Sequence, residues 1–86
     1  MEQKLHTLCL GETGIIYALR DSGISGRLRD LGFTEGSPVT CVRVSPLGDP
    51  LAFRIRGALI ALRKKDAALV EIRPIPADAA GEGRHP

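Results

Sequence analysis

The apolar positions of this chain recur mostly with a period of two, in short runs. Thr13–Leu19 reads Thr-Gly-Ile-Ile-Tyr-Ala-Leu. It is β-branched and aromatic and too short for an independent helix, which predicts a strand. Leu51–Arg56 alternates strictly, with Leu51, Phe53 and Ile55 on one face and Ala52, Arg54 and Arg56 on the other. Val39–Val44, Ala58–Arg63 and Leu69–Arg73 complete a set of five predicted strands. Gly57-Ala58 suits a two-residue hairpin loop with Gly first. That loop sets Ile55 opposite Ile60 and Phe53 opposite Leu62. The outer face then carries Arg54, Arg56, Leu59, Ala61 and Arg63, joined by Cys41 and Arg43, while Val42 and Val44 turn inward.

A period near 3.6 occurs once. Ile24, Leu28 and Leu31 share one face, which predicts a single short α-helix over about residues 24–31. Ser22 or Ser25 can cap its start. Gly32 follows the last periodic residue and can take the left-handed conformation that ends a helix. Lys64–Ala68 reads as one helical turn. Leu5, Leu8 and Leu10 cover an edge of the core, although residues 1–12 show no sustained period. Pro74-Ile75-Pro76 stops the last strand, and residues 75–86 read as a loose tail. The prediction is one mostly β domain over residues 1–74, a small closed barrel of about five strands. Its core is expected to hold Val42, Phe53, Ile55, Ile60, Leu62, Val70 and Ile72, with Leu28 and Leu31 packing the helix on.

Composition narrows the class. The 86 residues are 43% hydrophobic and 26% charged, which suits a folded globular domain and argues against disorder. Twelve Lys+Arg against ten Asp+Glu leave +2, short of the concentrated charge of a dedicated nucleic-acid binder. Tyr17, Phe33 and Phe53 are the only aromatics, so platforms for base stacking are scarce. No apolar run approaches the roughly 20 residues that span a bilayer. The Met1–His6 start lacks an apolar signal core. Membrane insertion is not expected, and a cytoplasmic chain is.

Catalysis is not expected either. His6 and His85 are the only histidines, and both lie near the ends. Gly11-Glu12-Thr13-Gly14 lacks the spacing and the Lys of a phosphate-binding loop. His6, Cys9 and Cys41 are the metal candidates, with ligands of the kind zinc takes. Their spacing matches no metal motif, so no metal site and no cofactor are expected. The two cysteines read as reduced core residues, and His85 as a place for adventitious metal only.

The arginines are the remaining chemistry. Arg43, Arg54 and Arg56 with Leu59 make a basic face suited to an acidic partner surface. The plainer alternative is a solvated face whose long stems cover apolar surface. Arg27 and Arg29 on the helix can reach a nucleotide site as arginine fingers or pair with Asp30 or Glu35. A contact absent from the sheet face would be sought around Arg27, Arg29 and Phe33.

Four segments in order carry a family resemblance. They are Leu-Cys-Leu-Gly-Glu-Thr-Gly-Ile-Ile (Leu8–Ile16), Arg-Leu-Arg-Asp-Leu-Gly-Phe-Thr-Glu-Gly (Arg27–Gly36), Pro-Leu-Gly-Asp-Pro (Pro46–Pro50) and Ala-Leu-Ile-Ala-Leu-Arg-Lys-Lys-Asp-Ala-Ala (Ala58–Ala68). Over roughly residues 5–73 the chain resembles the FeoA family, ferrous iron transport protein A. The resemblance implies an SH3-like barrel and a non-enzymatic cytoplasmic accessory of the membrane ferrous-iron permease FeoB, whose cytoplasmic part is a GTP-binding domain. It also implies kinship with the C-terminal domain of some metal-dependent repressors. The upstream DNA-binding helices of a repressor are not seen here. A monomer or weak dimer that binds no nucleic acid is expected. A stand-alone nucleic-acid-binding or metal-sensing small barrel is the alternative.

Overall fold

The computed structural model describes residues 3–75; the expected tail from 76 onward, with His85, lies outside them. Six strands form one antiparallel ladder: β1 (Gln3–Lys4), β2 (Thr13–Leu19), β3 (Pro38–Val44), β4 (Leu51–Ile55), β5 (Ala58–Leu62) and β6 (Val70–Ile75). Among the described residues their order is β1-β6-β2-β3-β4-β5. The curved sheet wraps one core as an SH3-like barrel, and β1 and β5 remain the two ends of the ladder. A 3-10 turn, Leu5–Thr7, follows β1. Helix α1 (Ser25–Asp30) lies between β2 and β3, and the single turn α2 (Lys64–Ala67) lies between β5 and β6. No helix among the described residues is long and apolar enough to cross a membrane.

The core is Leu5, Leu8, Ile16, Leu28, Phe33, Val39, Cys41, Leu51, Phe53, Ile55, Leu62, Ala67, Val70 and Ile72. Ile24, Leu31 and Ile60 pack against it half-buried. Leu5 and Leu8 are inside as expected, but Leu10 is exposed. The strand β1 has no sequence signal because it is only two residues long, paired with Glu71 and Ile72 of β6.

The face assignment of β3 departs from expectation at Cys41, Val42 and Val44, while Arg43 lies outside as expected. Val39 and Cys41 point into the core, while Val42 is half-buried and Val44 is 42% exposed. A bulge is the cause. Cys41 pairs with Phe53 and Arg43 pairs with Ala52, so Val42 is the extra residue. The bulge lets Cys41 stay inside while Arg43, two residues on, still reaches the outer face.

The β4–β5 register is shifted by two residues from the expected one. Phe53 pairs with Ile60, Leu51 with Leu62 and Ile55 with Ala58. The loop is Arg56-Gly57 rather than Gly57-Ala58. Both residues have positive φ, 50° and 82°, the signature of the type I′ hairpin turn that matches strand twist. A two-residue shift preserves side-chain faces, so Phe53 and Ile55 are buried and Arg54 is exposed as predicted.

Helix α1 begins without a side-chain cap from Ser25, whose hydroxyl donates to the Ser22 carbonyl at 3.0 Å. Ser22 instead accepts the Ile24 N–H on its hydroxyl oxygen at 3.3 Å. The C-terminus follows the glycine signal. Gly32, at φ 111°, donates to Arg29 O, and the next N–H, Phe33, donates to Leu28 O, both at 3.0 Å. This is a Schellman ending, and it places Phe33 and Leu28 together in the core. Strand β6 runs through Pro74 to Ile75, opposite Gly14 and Thr13. Proline is tolerated there because β1 covers only Glu71 and Ile72, leaving this end of β6 with one neighbour. The β3–β4 loop is pinned to α2 by Asp49, whose carboxylate accepts the Lys64 N–H at 2.9 Å.

Candidate functional site

The outer face of β3, β4 and β5 brings together part of the expected arginine surface. Thr40, Arg54 and Leu59 form one cross-strand row, and Arg43, Ala52 and Ala61 form the next. The alanines keep the floor low, so Arg43 and Arg54 stand exposed beside Leu59, which is 64% exposed. Among the described residues, neither arginine is engaged by a carboxylate in an ion pair. Two free guanidiniums around one apolar side chain suit a carboxylate-bearing surface.

Arg56 does not belong to this face as a free group. It sits in the turn, and its guanidinium donates to Ser37 Oγ at 2.6 Å and Thr34 Oγ1 at 3.2 Å. Ser37 is buried and also shares a hydrogen bond with Thr34. Arg56 therefore ties the β4–β5 turn to the segment after α1, and its stem runs over Gly32. Sequence reasoning missed Thr34 and Ser37 because nothing local marks a hydroxyl that meets an arginine nineteen residues away.

On the helix side the expected residues separate. Arg29 pairs with Glu35 at 3.0 Å, the plainer of its two expected roles. A backbone hydrogen bond within Glu35, then Arg29, holds the Glu35 carboxyl below its ordinary value. Arg27 is exposed. Phe33 is fully buried and offers nothing to a partner.

The metal candidates His6, Cys9 and Cys41 are not assembled into a ligand set. Among the described residues no three His, Cys, Asp or Glu side chains converge. The turn from Cys9 to Glu12 is stitched to β3: Gly11 N–H donates to Cys41 O at 2.7 Å, and Cys41 N–H donates to Glu12 O at 3.0 Å. Cys9 is exposed, whereas Cys41 points into the core. Burial pushes the Cys41 thiol up, keeping it protonated at neutral pH. In the native protein a thiol-specific reagent should therefore label Cys9 quickly and Cys41 only on unfolding. Mass spectrometry of the labelled peptides checks this, and rapid native labelling of Cys41 would contradict the packing.

Comparison with known proteins matches the FeoA domain over residues 3–74. A curated Fe(2+) transport protein A/Fe(2+) transporter FeoB fusion protein of Porphyromonas gingivalis is 34% identical over 77 residues, 88% of this chain and 9% of the fusion. The chain thus spans about a tenth of that relative. The solution structure of the FeoA protein from Chlorobium tepidum superposes with a TM-score of 0.81 at 27% identity, covering 88% of this chain and 73% of that one. FeoA of Stenotrophomonas maltophilia in complex with zinc, a prokaryotic SH3 domain protein, superposes with a TM-score of 0.75 at 31% identity, covering 81% of this chain and 88% of that one.

Proposed function

This chain belongs to the FeoA family, and we propose that it is a non-enzymatic cytoplasmic accessory of ferrous-iron uptake that docks on a FeoB-type permease. The observation that carries this is the fusion in P. gingivalis, where a segment matching this chain is covalently joined to a FeoB transporter. Fusion gives two surfaces a high effective concentration and rewards those that touch. The docking face is the outer side of β3–β5, with Arg43 and Arg54 as the charged contacts and Leu59 as the apolar one. Arg27 extends the charge on the helix side. Arg29 is paired with Glu35 and Arg56 is held by Ser37 and Thr34, so neither is offered as a free contact. The protein contributes shape and charge to the permease and its GTP-binding domain; no bond is made or broken on it.

The test is retention of the detergent-solubilised permease by immobilised protein. Reversing both contacts (Arg43→Glu with Arg54→Glu) is expected to weaken retention by about tenfold or more. The melting temperature should barely move, since exposed substitutions usually stay within about 0.5 kcal/mol. Retention that survives the reversal removes these residues from the interface. A wild-type protein that retains no permease sinks the accessory role. Affinity for random duplex that falls steeply with salt would replace it with nucleic-acid binding.

A further inference from the structure

Strand β5 is an unguarded edge. Among the described residues it pairs with β4 alone. Its sequence, Ala-Leu-Ile-Ala-Leu, has no Lys, no Pro and no bulge, the devices that normally protect a sheet edge. The other end of the ladder is blunted by length, because β1 has two residues. The hairpin geometry says which β5 groups are open. In a two-residue hairpin the flanking pair, Ile55 and Ala58, is hydrogen-bonded, and pairing alternates from there. Ala58, Ile60 and Leu62 therefore spend their backbone groups on β4. The N–H and C=O of Leu59 and Ala61 point to the free edge, and both residues are exposed.

A groove lies beside that edge. It has a volume of about 160 Å³ and runs between α1, the end of β5 and the start of α2. Ile24, Leu28 and Leu31 form its apolar wall, and Arg27, Arg63 and Asp66 also line it. The volume matches one branched or aromatic side chain. Two guanidiniums against one carboxylate leave the rim positive, and Arg54 adds charge one strand inward.

We infer that β5 accepts an extended partner segment as an added strand, with apolar residues alternating with acidic ones. Its main chain takes the open groups of Leu59 and Ala61, one apolar side chain fills the α1–β5 groove, and its carboxylates meet Arg27, Arg63 and Arg54. Strand addition draws affinity from the main chain and specificity from alternate side chains. Charge selects this occupant over a second copy of the chain. A second copy would bring up another positive surface, with its own Arg54 and Arg63, and repulsion between the two faces disfavours that occupant. The inference deepens the accessory role and rests on it only for the origin of the partner segment.

The test uses the full chain, isotope-labelled, titrated to millimolar concentration with a short synthetic peptide alternating valine and glutamate. The amide signals of Leu59 and Ala61 are expected to shift and to exchange more slowly, with the methyl signals of Leu28 and Leu31 shifting alongside. A valine–lysine peptide should have no such effect, and Arg63→Glu should weaken the response by about tenfold. Ala61→Pro removes an N–H outside the β4 ladder, so it should abolish the response while the melting temperature holds. Shifts confined to other residues, an equal response to the lysine peptide, or no response at all overturn the inference. So does undiminished binding by a folded Ala61→Pro variant. The permease assay separates the two claims. Retention lost on reversing Arg43 and Arg54 but kept in Ala61→Pro leaves the accessory role and removes the added strand. A protein that takes the peptide but retains no permease does the opposite.

Discussion

Phe53→Ala is expected to cost about 3–5 kcal/mol of folding stability, the range for truncating a buried phenylalanine. Phe53 is fully buried at the middle of β4, paired with Cys41 on one side and Ile60 on the other. It is one of two phenylalanines in 86 residues, and the aliphatic side chains around it cannot grow to refill the space. Small domains carry only about 5–15 kcal/mol in total, so the variant should sit near the edge of stability. Chemical denaturation read by circular dichroism checks this. Phe53→Leu is expected to recover most of the loss, because it keeps volume in the cavity. A loss below about 1 kcal/mol for Phe53→Ala would mean that the centre of the barrel is not packed as described.

The parts of the fold that were legible are those where one local signal acted alone. In β4 the two faces differ at every position, so alternation placed Phe53, Ile55 and Arg54 correctly. The faces of β5 also survived an incorrect turn, since Arg56-Gly57 and Gly57-Ala58 differ by a two-residue shift. What hid the true turn was Arg56, which accepts a positive φ without being the Asn or Asp that usually announces it. Strand β3 was misread for the opposite reason. Val42 and Val44 are the more strand-like apolar residues, but the bulge spends Val42, so the core is given to Val39 and Cys41. No sequence pattern marks a bulge whose purpose is set by the neighbouring strand. Of the arginine surface, composition and alternation located Arg43 and Arg54. Arg56 was assigned outward by the same alternation, which ends at the turn. Its partners Ser37 and Thr34 belong to a segment that only the folded chain brings near. The β5 edge lay in plain view in the sequence as an uncharged run, but its exposure depends on which strand ends the ladder.

Phe33→Ala is expected to have an effect of the same size, about 3–5 kcal/mol, and to act on the helix as well as the core. The residue follows Gly32, and its N–H closes the Schellman ending on Leu28 O. In that motif the residue after the glycine packs back on the last turn, and here both Phe33 and Leu28 are buried. Leu31-Gly32-Phe33 is therefore one unit: the leucine ends the helix, the glycine reverses the chain, and the phenylalanine fastens the reversal to the barrel. Helix α1 has only six residues, too few to persist without such packing. Removing the ring should loosen α1 before the sheet unfolds. Amide exchange at Leu28 and Leu31 is then expected to speed up more than exchange at Val39 or Ile55. The same loosening takes away the Ile24, Leu28 and Leu31 wall of the α1–β5 groove. Under conditions where Phe33→Ala is still folded, the valine–glutamate peptide should lose most of its effect on the Leu59 and Ala61 amides. Uniform acceleration of exchange across α1 and the sheet would show instead that helix and barrel unfold as one, and that Phe33 serves the core alone.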